Sequence, residues 1–191
     1  MPLIFKAKEM PQIEFYYAPG ACSLATHILL LESGAEFKAI PNTVNLDTVI
    51  FTEELQRINP KRRVPVLSID GETITETPAI MTAISGLAPG KHFLGNSQLE
   101  TIRAYEWMNW LSGSLHGHAF GGVLRPGRLT ADSAAFEGIR AKGVENVRDC
   151  FGVIEGKLRG VHAVGDAFTA VDPYLFVFYR WANGMGFKMR E

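Results

Sequence analysis

Residues 13–34, IEFYYAPGACSLATHILLLESG, contain the signals of a short strand, a turn and a helix in immediate succession. The aromatic and β-branched run Ile13–Tyr17 favours a strand, and Pro19-Gly20 ends it in a turn. Apolar residues then recur at helical spacing from about Ser23, and Gly34 follows where a helix stop belongs. A strand that passes through a tight turn directly into a helix is typical of an α/β domain.

The next segments extend this unit. A strand is predicted over Phe37–Ile40, followed by a helix that Asp47 or Thr48 caps and Asn59-Pro60 ends. A strand over Val64–Ile69 comes next. After the hairpin signal Asp70-Gly71, a return strand is predicted over Thr73–Thr75. Thr77 then caps a third helix, with Pro78 in its first position. The order β-α-β-α-β-β-α, with a parallel first pair and an antiparallel final hairpin, predicts a thioredoxin-like α/β domain.

A stretch rich in glycine, proline and serine, SGLAPGKHFLGNS at residues 85–97, separates this domain from an all-helical one. Ser97 and Glu100 have the spacing of a capping box, and apolar residues recur at helical spacing after them. The predicted division is an N-terminal extension over 1–12, a thioredoxin-like domain over 13–86, to which the motifs below assign glutathione binding, a linker over 87–97 and an all-helical domain over 98–191.

Two later helices are predicted in the second domain. One runs from about Asp132 to Leu158 and contains four glycines, where we expect kinks, breaks or close helix packing because each costs about 1 kcal/mol relative to alanine. The four are Gly138, Gly143, Gly152 and Gly156. The other helix follows Thr169. Either Thr169 caps it together with Asp172, and Pro173 removes an early hydrogen bond, or Asp172 is the cap and Pro173 fits the first position.

Composition limits the classes of protein to which this chain can belong. It has 191 residues, 47% of them hydrophobic and 20% charged, with a mean hydropathy of +0.05, which is typical of a globular protein. The net charge is −1 and no basic run exceeds Lys61–Arg63, so we predict no nucleic-acid partner. Residues 1–12 lack a signal-peptide core, and no stretch is apolar enough to span a membrane. Cys22 and Cys150 are few for a secreted domain, so we predict a cytoplasmic protein.

Cys22 lies in the turn before the first predicted helix, where the partial positive charge and free N–H groups of a helix start favour a thiolate. The alternative is a small buried apolar residue, which is a common role of cysteine. The location of Cys22 at a helix start favours a chemical role over a purely structural one. Cys150 is assigned to the core, and no Cys-x-x-Cys motif is present for an intramolecular disulfide cycle.

Two dipeptides could contribute to a peptide-binding site, and each also has an ordinary explanation. Val64-Pro65 opens a strand, where proline is common, whereas a cis bond there would turn the Val64 backbone outward to pair with a bound peptide. Glu76-Thr77 stands at a helix start, and Thr77 is the predicted cap in either case. In the functional interpretation Thr77 and backbone amides hold a carboxylate while Glu76 holds the neighbouring ammonium, the charge pair at the γ-glutamyl end of glutathione.

His116 and His118 are predicted at or just past the end of a helix, in LHGHAFGG. Because no cysteine or carboxylate set lies near them in sequence, they are weak evidence for a metal, and we predict no metal site. The chain also lacks a glycine-rich phosphate loop, a serine nucleophile elbow and an HExxH motif.

Five segments between about Ile13 and Met185 resemble the glutathione S-transferases, most closely the bacterial beta class. In chain order they are YYAPGACSLATHILLLESG, NPKRRVPVL, TETPAIM, EWMNWLSGSLH and FTAVDPYLFVFYRWA. The resemblance implies a thioredoxin-like N-terminal domain plus an all-α C-terminal helical domain, with glutathione as co-substrate, a small hydrophobic electrophile as second substrate, no metal, and a homodimer.

The resemblance also implies roles for individual residues. Cys22 matches the beta-class cysteine beside the glutathione sulfur, and His116 matches a helical-domain histidine that reaches the same site, so these two are the predicted catalytic residues. The residues predicted to bind glutathione are Tyr17 and Ser23 near the sulfur, Val64 and Pro65 along the peptide, Glu76 and Thr77 at the γ-glutamyl end, and Asn109 from the helical domain. Thr169 and Asp172 match a capping box that serves folding.

Four departures from the family pattern bear on these roles. Gly117 stands where beta-class members commonly have a lysine, and GSLHGHAFGG is one residue longer than usual, which leaves His118 as an alternative to His116. Asp47 lies near the position of a glutathione-binding lysine. The chain ends at Glu191, whereas family members usually continue for another helix or two, so the resemblance implies a helical domain truncated at its C-terminus.

Three functions are compatible with these features. The leading hypothesis is conjugation of the glutathione thiolate to small electrophiles, as in detoxification; the second is glutathione-dependent thiol–disulfide exchange through Cys22. The third is a non-catalytic, transferase-like binding or dimerisation module. Gly117 and the early end of the chain favour the third, whereas Cys22, Val64-Pro65 and Glu76-Thr77 together favour an enzyme.

Overall fold

The computed structural model describes residues 10–44, 49–50 and 52–187 of the chain. It divides into two compact units between Leu87 and Ala88. Every helix in the described ranges is too short or too polar to traverse a lipid bilayer. The elements of the first unit are, in chain order, β1 (Ile13–Tyr17), α1 (Ser23–Ser33), β2 (Lys38–Pro41), β3 (Thr43–Val44), β4 (Val49–Ile50), α2 (Glu53–Ile58), β5 (Val66–Ile69), β6 (Glu72–Thr75) and α3 (Thr77–Leu87).

A four-stranded mixed sheet in the order β2-β1-β5-β6 organises the first unit. Strands β1 and β2 are parallel, as expected for strands joined through a helix. Strand β5 is antiparallel to both β1 and β6. The predicted thioredoxin-like fold, with an antiparallel hairpin at its edge, is therefore confirmed.

The segment between β2 and α2 differs from the prediction. Residues 49–50 form β4, which pairs with β3 in a separate two-stranded sheet, instead of continuing a helix. Helix α2 begins only after Thr52, whose hydroxyl accepts a hydrogen bond from the Leu55 N–H (3.2 Å). Thr52 thus has the capping role predicted for Asp47 or Thr48, which lie outside the described residues. The β-branched pair at 49–50 favours extended backbone and delays the helix.

Side chains of β1 alternate between the two faces of the sheet. Phe15 and Tyr17 face His27 of α1, with ring centroids 5.3 Å and 5.2 Å from the imidazole. Tyr16 points the other way and packs with Leu55 of α2 and Val66 of β5 in a buried cluster. Because both faces are covered, the strand is apolar at successive positions and holds α1 and α2 against opposite sides of the sheet.

The second unit contains helices and, among its described residues, no strand, which confirms the predicted all-α domain. Its elements are α4 (Gln98–Trp110), a π-helical segment (Leu111–Phe120), α5 (Gly121–Leu124), α6 (Phe136–Lys157) and α7 (Val171–Gly184), with 3-10 turns at Pro89–Lys91, Pro126–Arg128 and Ser133–Ala135. The Ser97 hydroxyl accepts the Glu100 N–H at 3.2 Å, as predicted. The Glu100 carboxylate accepts the N–H of Asn96 instead of completing the box at Ser97.

Helix α6 begins after the turn Ser133–Ala135, later than predicted, because the Asp132 carboxylate accepts the Ala134 N–H (3.0 Å) and caps that turn instead. Of its four glycines, Gly143 alone lies in close packing: a Cβ built there would be 2.8 Å from the Val123 nitrogen. A Cβ at Gly138, Gly152 or Gly156 would meet nothing within 4 Å.

The start of α7 contradicts both predicted alternatives, because Ala170, and neither Thr169 nor Asp172, is the residue that caps the helix. The helix begins at Val171, so Pro173 is its third residue and its missing N–H belongs to the first turn, where amides have no helical acceptor. The Asp172 carboxylate accepts the Thr169 N–H (2.6 Å) and hydroxyl (3.3 Å) and the Ala163 N–H (2.9 Å). Thr169 and Asp172 thus form a reciprocal bond set that also fastens the preceding loop.

Candidate active site

Cys22 immediately precedes α1 and is 7% exposed. Its Sγ donates a hydrogen bond to the Val64 carbonyl oxygen at 3.5 Å, 42 residues away in sequence. The first turn of α1 carries no acidic residue to offset the partial positive charge of the helix start. A thiol, a helix start and the backbone before Pro65 therefore meet at one point of the first unit.

The turn that carries Cys22 is held by Ser23. The Ser23 hydroxyl accepts the Ala18 N–H and donates to the Ala18 carbonyl, both at 3.1 Å, and its side chain is 0% exposed. Direct contact with a ligand would require this hydroxyl to leave both bonds. Its role in the structure is to fix the strand-to-helix turn, and its predicted place beside the glutathione sulfur stays a prediction.

Tyr17 is the last residue of β1 and is half-buried. Its ring stacks with that of Phe15, with centroids 5.9 Å apart and planes within 7°. Its carbonyl accepts the Asn42 N–H (2.7 Å) just after β2. Tyr17 therefore lies on the α1 side of the sheet, one turn before Cys22.

The Val64-Pro65 peptide bond is cis. The turn before it is held by Asn59, which is 2% exposed. The Asn59 side chain donates to the Arg63 carbonyl (2.8 Å) and accepts the Lys61 N–H (3.2 Å). The backbone leading into Val64 is thus fixed at both ends by one buried amide.

Glu76 and Thr77 lie at the end of β6, at the same end of the hairpin as Val64, because Val66 is paired with Thr75. Helix α3 begins at Thr77, and the Ile80 N–H bonds to the Glu76 carbonyl (3.0 Å). Glu76, with φ at +72°, thus precedes the helix, and Thr77 is its first residue rather than the predicted cap. Thr77 is 6% exposed.

The Glu76 carboxylate, predicted to hold an ammonium group, is already paired with one. Lys61 Nζ lies 2.5 Å from Glu76 Oε1 and also donates to the Thr75 hydroxyl (2.6 Å). The two side chains are 50% and 60% exposed. The first unit therefore brings Cys22, Val64, Glu76 and Thr77 to one end of its sheet.

The second unit contains the other predicted site residues. Asn109 is exposed on α4, whereas His116 lies half-buried in the π-helical segment with its ring 5.7 Å from Phe178 and 5.3 Å from Trp181 of α7. His118 is exposed and within hydrogen-bond distance of Asn146 of α6 (3.1 Å). The sequence had predicted both histidines at or just past the end of a helix. In the structure both lie inside a continuous helical stretch.

Comparison with known proteins identifies the family. Residues 20–85 match the family model described as "Glutathione S-transferase, N-terminal domain". Glutathione S-transferase GstA of Escherichia coli O157:H7 is 30% identical over 173 residues, which cover 89% of this chain and 82% of that protein. The chain belongs to the glutathione S-transferase family.

Solved transferases have the same fold over most of their length. A beta-class glutathione S-transferase of Sphingomonas chungbukensis superposes with a TM-score of 0.76 at 32% identity, covering 92% of this chain and 85% of that one. A glutathione transferase homologue of Sulfitobacter, solved with bound glutathione, gives a TM-score of 0.83 at 27% identity over 93% and 85% of the two chains. The predicted family and enzyme class, a transferase, are confirmed.

Sequence reasoning missed two residues of this transferase that shape the candidate site. Lys61 stood out only as part of a basic run, and nothing local linked it to Glu76, fifteen residues later. Asn59 was recognised only as the end of a helix, although an asparagine before proline is a common turn residue that bonds nearby backbone. Among the residues that the structure describes, no group of three or more histidine, cysteine, aspartate or glutamate side chains could hold a metal ion.

Proposed function

We propose that this transferase conjugates the thiolate of glutathione to small hydrophobic electrophiles. In a displacement reaction, the glutathione sulfur forms a bond to an electrophilic carbon, and the bond from that carbon to a halide breaks with release of the halide ion. The observation that carries the proposal is the contact between Cys22 Sγ and the Val64 carbonyl at the start of α1.

That contact supports a site for a peptide thiol. A glutathione cysteine paired with the Val64 backbone would have its sulfur beside Cys22 and the start of α1, whose partial positive charge stabilises a sulfur anion. Glu76 and Thr77, at the same end of the sheet, would then receive the γ-glutamyl group. Holding the thiolate in a near-attack pose is the main contribution that such a site makes to rate.

The second unit would supply the remaining groups. We assign Asn109 to glutathione binding and His116 to donating a hydrogen bond or carrying a proton near the sulfur. His116→Gln should lower kcat, whereas His118→Gln should leave it within twofold, because His118 is engaged with Asn146 on the surface. The reverse ranking would assign the catalytic role to His118.

We also propose that the two units act as the predicted glutathione-binding and helical domains of a cytoplasmic homodimer. Neither Cys22 nor Cys150 forms a disulfide in the described structure, which supports a reducing compartment. Light scattering of the purified chain at several concentrations tests the dimer; a monomer at every concentration would contradict it.

A conjugation assay tests the main proposal. The purified chain is mixed with glutathione and an activated aryl chloride, and the thioether product is followed by absorbance. We expect a rate that saturates with glutathione. Absence of a glutathione-dependent rate above background with several electrophiles would refute the proposal, and retention on glutathione–agarose without turnover would then indicate a binding module.

Thiol–disulfide exchange is the second candidate, because Cys22 has its thiol where the glutathione sulfur is expected. The Cys22 thiolate attacks the glutathionyl sulfur of a mixed disulfide and releases the other thiolate. A glutathione thiolate then attacks the Cys22–glutathione disulfide, giving oxidised glutathione and free Cys22. Cys22→Ala should abolish exchange and leave conjugation within about tenfold. Cys150→Ala, which removes the other cysteine, is the matched control and should change neither activity.

A further inference from the structure

The ion pair between Lys61 and Glu76 bridges the turn before Val64 and the start of α3. Lys61 Nζ donates to Glu76 Oε1 (2.5 Å) and to the Thr75 hydroxyl (2.6 Å). Thr75 pairs in register with Val66, so both bonds cross the end of the β5–β6 hairpin. Lys61 therefore lies beside the carboxylate that the proposed function assigns to the ammonium group of glutathione.

Stability alone does not account for this pair. Both side chains are at least half exposed, and an exposed pair of this kind contributes about 0–1 kcal/mol to folding. The Lys61 backbone is nevertheless fixed, since its N–H donates to the buried side chain of Asn59 (3.2 Å). The Lys61 ammonium is therefore held at a defined position, although its ion pair adds little to the stability of the fold.

Donor and acceptor counts leave both partners able to bind a ligand. A lysine ammonium has three N–H donors, and two of those of Lys61 are directed at Thr75 and Glu76. The Glu76 carboxylate has two oxygens, and the pair uses Oε1. One N–H of Lys61 and the Oε2 of Glu76 are not used in these bonds, and both side chains are at least half exposed.

The α-amino-acid end of glutathione carries an ammonium and a carboxylate on one carbon. A protein edge with one cation and one anion side by side is complementary to such a zwitterion. We propose, as an extension of the proposed function, that Lys61 is a further glutathione-binding residue. It joins Thr77 in binding the α-carboxylate of the γ-glutamyl group, while Glu76 binds the ammonium. The pair confers specificity for thiols with an intact α-amino-acid end.

Calorimetric titration with three thiols tests this assignment on the full chain. The thiols are glutathione, 4-aminobutanoyl-Cys-Gly, which lacks the α-carboxylate, and 4-carboxybutanoyl-Cys-Gly, which lacks the ammonium. Lys61→Gln should raise Kd about tenfold for glutathione and for the 4-carboxybutanoyl peptide, since both keep the carboxylate. It should change Kd less than twofold for the 4-aminobutanoyl peptide. Arg62→Gln, which removes an adjacent exposed cation, is the control and should change all three Kd values alike and by less than threefold.

Three results would overturn the assignment. An unchanged or lower Kd for glutathione with Lys61→Gln would mean that Lys61 is idle or competes with the ammonium for Glu76. An equal rise for all three thiols, or the same pattern with Arg62→Gln, would mean general attraction of an anionic peptide. A chain that binds glutathione in the expected pattern but conjugates no electrophile would refute the proposed function and leave the role of Lys61 intact.

Discussion

Replacement of Gly143 by alanine tests the close packing of α5 against α6. A Cβ at this position would lie 2.8 Å from both the backbone nitrogen and a side-chain methyl of Val123, and 3.1 Å from the Gly122 carbonyl carbon. Carbon atoms pack at about 3.5–4.0 Å, so the two helices must separate. Because one contact is backbone, no change of rotamer can relieve it.

The expected magnitude follows from two opposing effects. Overpacking in a fixed contact costs about 1–3 kcal/mol, whereas alanine gains about 1 kcal/mol over glycine inside a helix. Gly143→Ala should therefore lower the free energy of unfolding by about 1 kcal/mol. Gly152→Ala in the same helix, where the new Cβ meets nothing within 4 Å, should raise it by about 1 kcal/mol.

Urea denaturation of the two variants at one protein concentration measures this difference. With a slope of about 2 kcal/mol per M, the midpoints should lie about 1 M apart, with the Gly152 variant the more stable. Equal midpoints, or a more stable Gly143 variant, would refute the close packing of the two helices at this glycine. Gly138→Ala offers a second exposed control and should behave like Gly152→Ala.

Three further predictions concern pH dependence and buried polar side chains. Burial lowers the pKa of His27 below its ordinary value of 6.5, so the unfolded chain binds a proton first and stability should fall as pH drops through 6.5. His27→Gln should flatten that part of a plot of melting temperature against pH, and an unchanged plot would contradict the role of His27. Asp172→Asn should cost about 2 kcal/mol, or about 4–8 °C in Tm, because an amide NH2 replaces one of the two carboxylate oxygens that accept these bonds; Asp166→Asn on the surface should change Tm by less than about 2 °C. Asn59→Ala should cost about 1–3 kcal/mol in urea denaturation and weaken glutathione binding by calorimetry; an unchanged Kd would show that the turn does not position the site.

Local patterns were sufficient to predict most of the first unit. Asp70-Gly71 predicted the hairpin, and both residues have positive φ, 51° and 84°, as a two-residue type I′ turn requires. The aromatic and β-branched run of β1 predicted a strand, and Gly34, with φ at +73°, ends α1 as predicted. Each of these signals is contained within a few residues, so the sequence alone was enough to predict it.

The parts that sequence could not predict depend on contacts between distant segments. The bond from Cys22 to the Val64 carbonyl joins residues 42 apart, and the pair of Lys61 and Glu76 joins residues 15 apart. Neither has a local signature, because the sheet register decides which residues meet. The cap of α2 was predicted at the wrong residue for a different reason. Several threonine and aspartate residues in this segment can cap a helix, and because β4 pairs with β3, the helix begins only after Thr52.

The π-helical segment places the two candidate histidines in different surroundings. A π-helical segment of 10 residues, Leu111–Phe120, contains both of them. The Gly121 N–H reaches back to the His116 carbonyl, five residues earlier, which is the π-helical spacing. Within this segment His116 packs against Phe178 and Trp181, whereas His118 lies on the exposed side beside Asn146. This arrangement favours His116 over His118 as the histidine assigned to the proposed reaction, because packed rings hold an imidazole in one orientation and a surface contact does not.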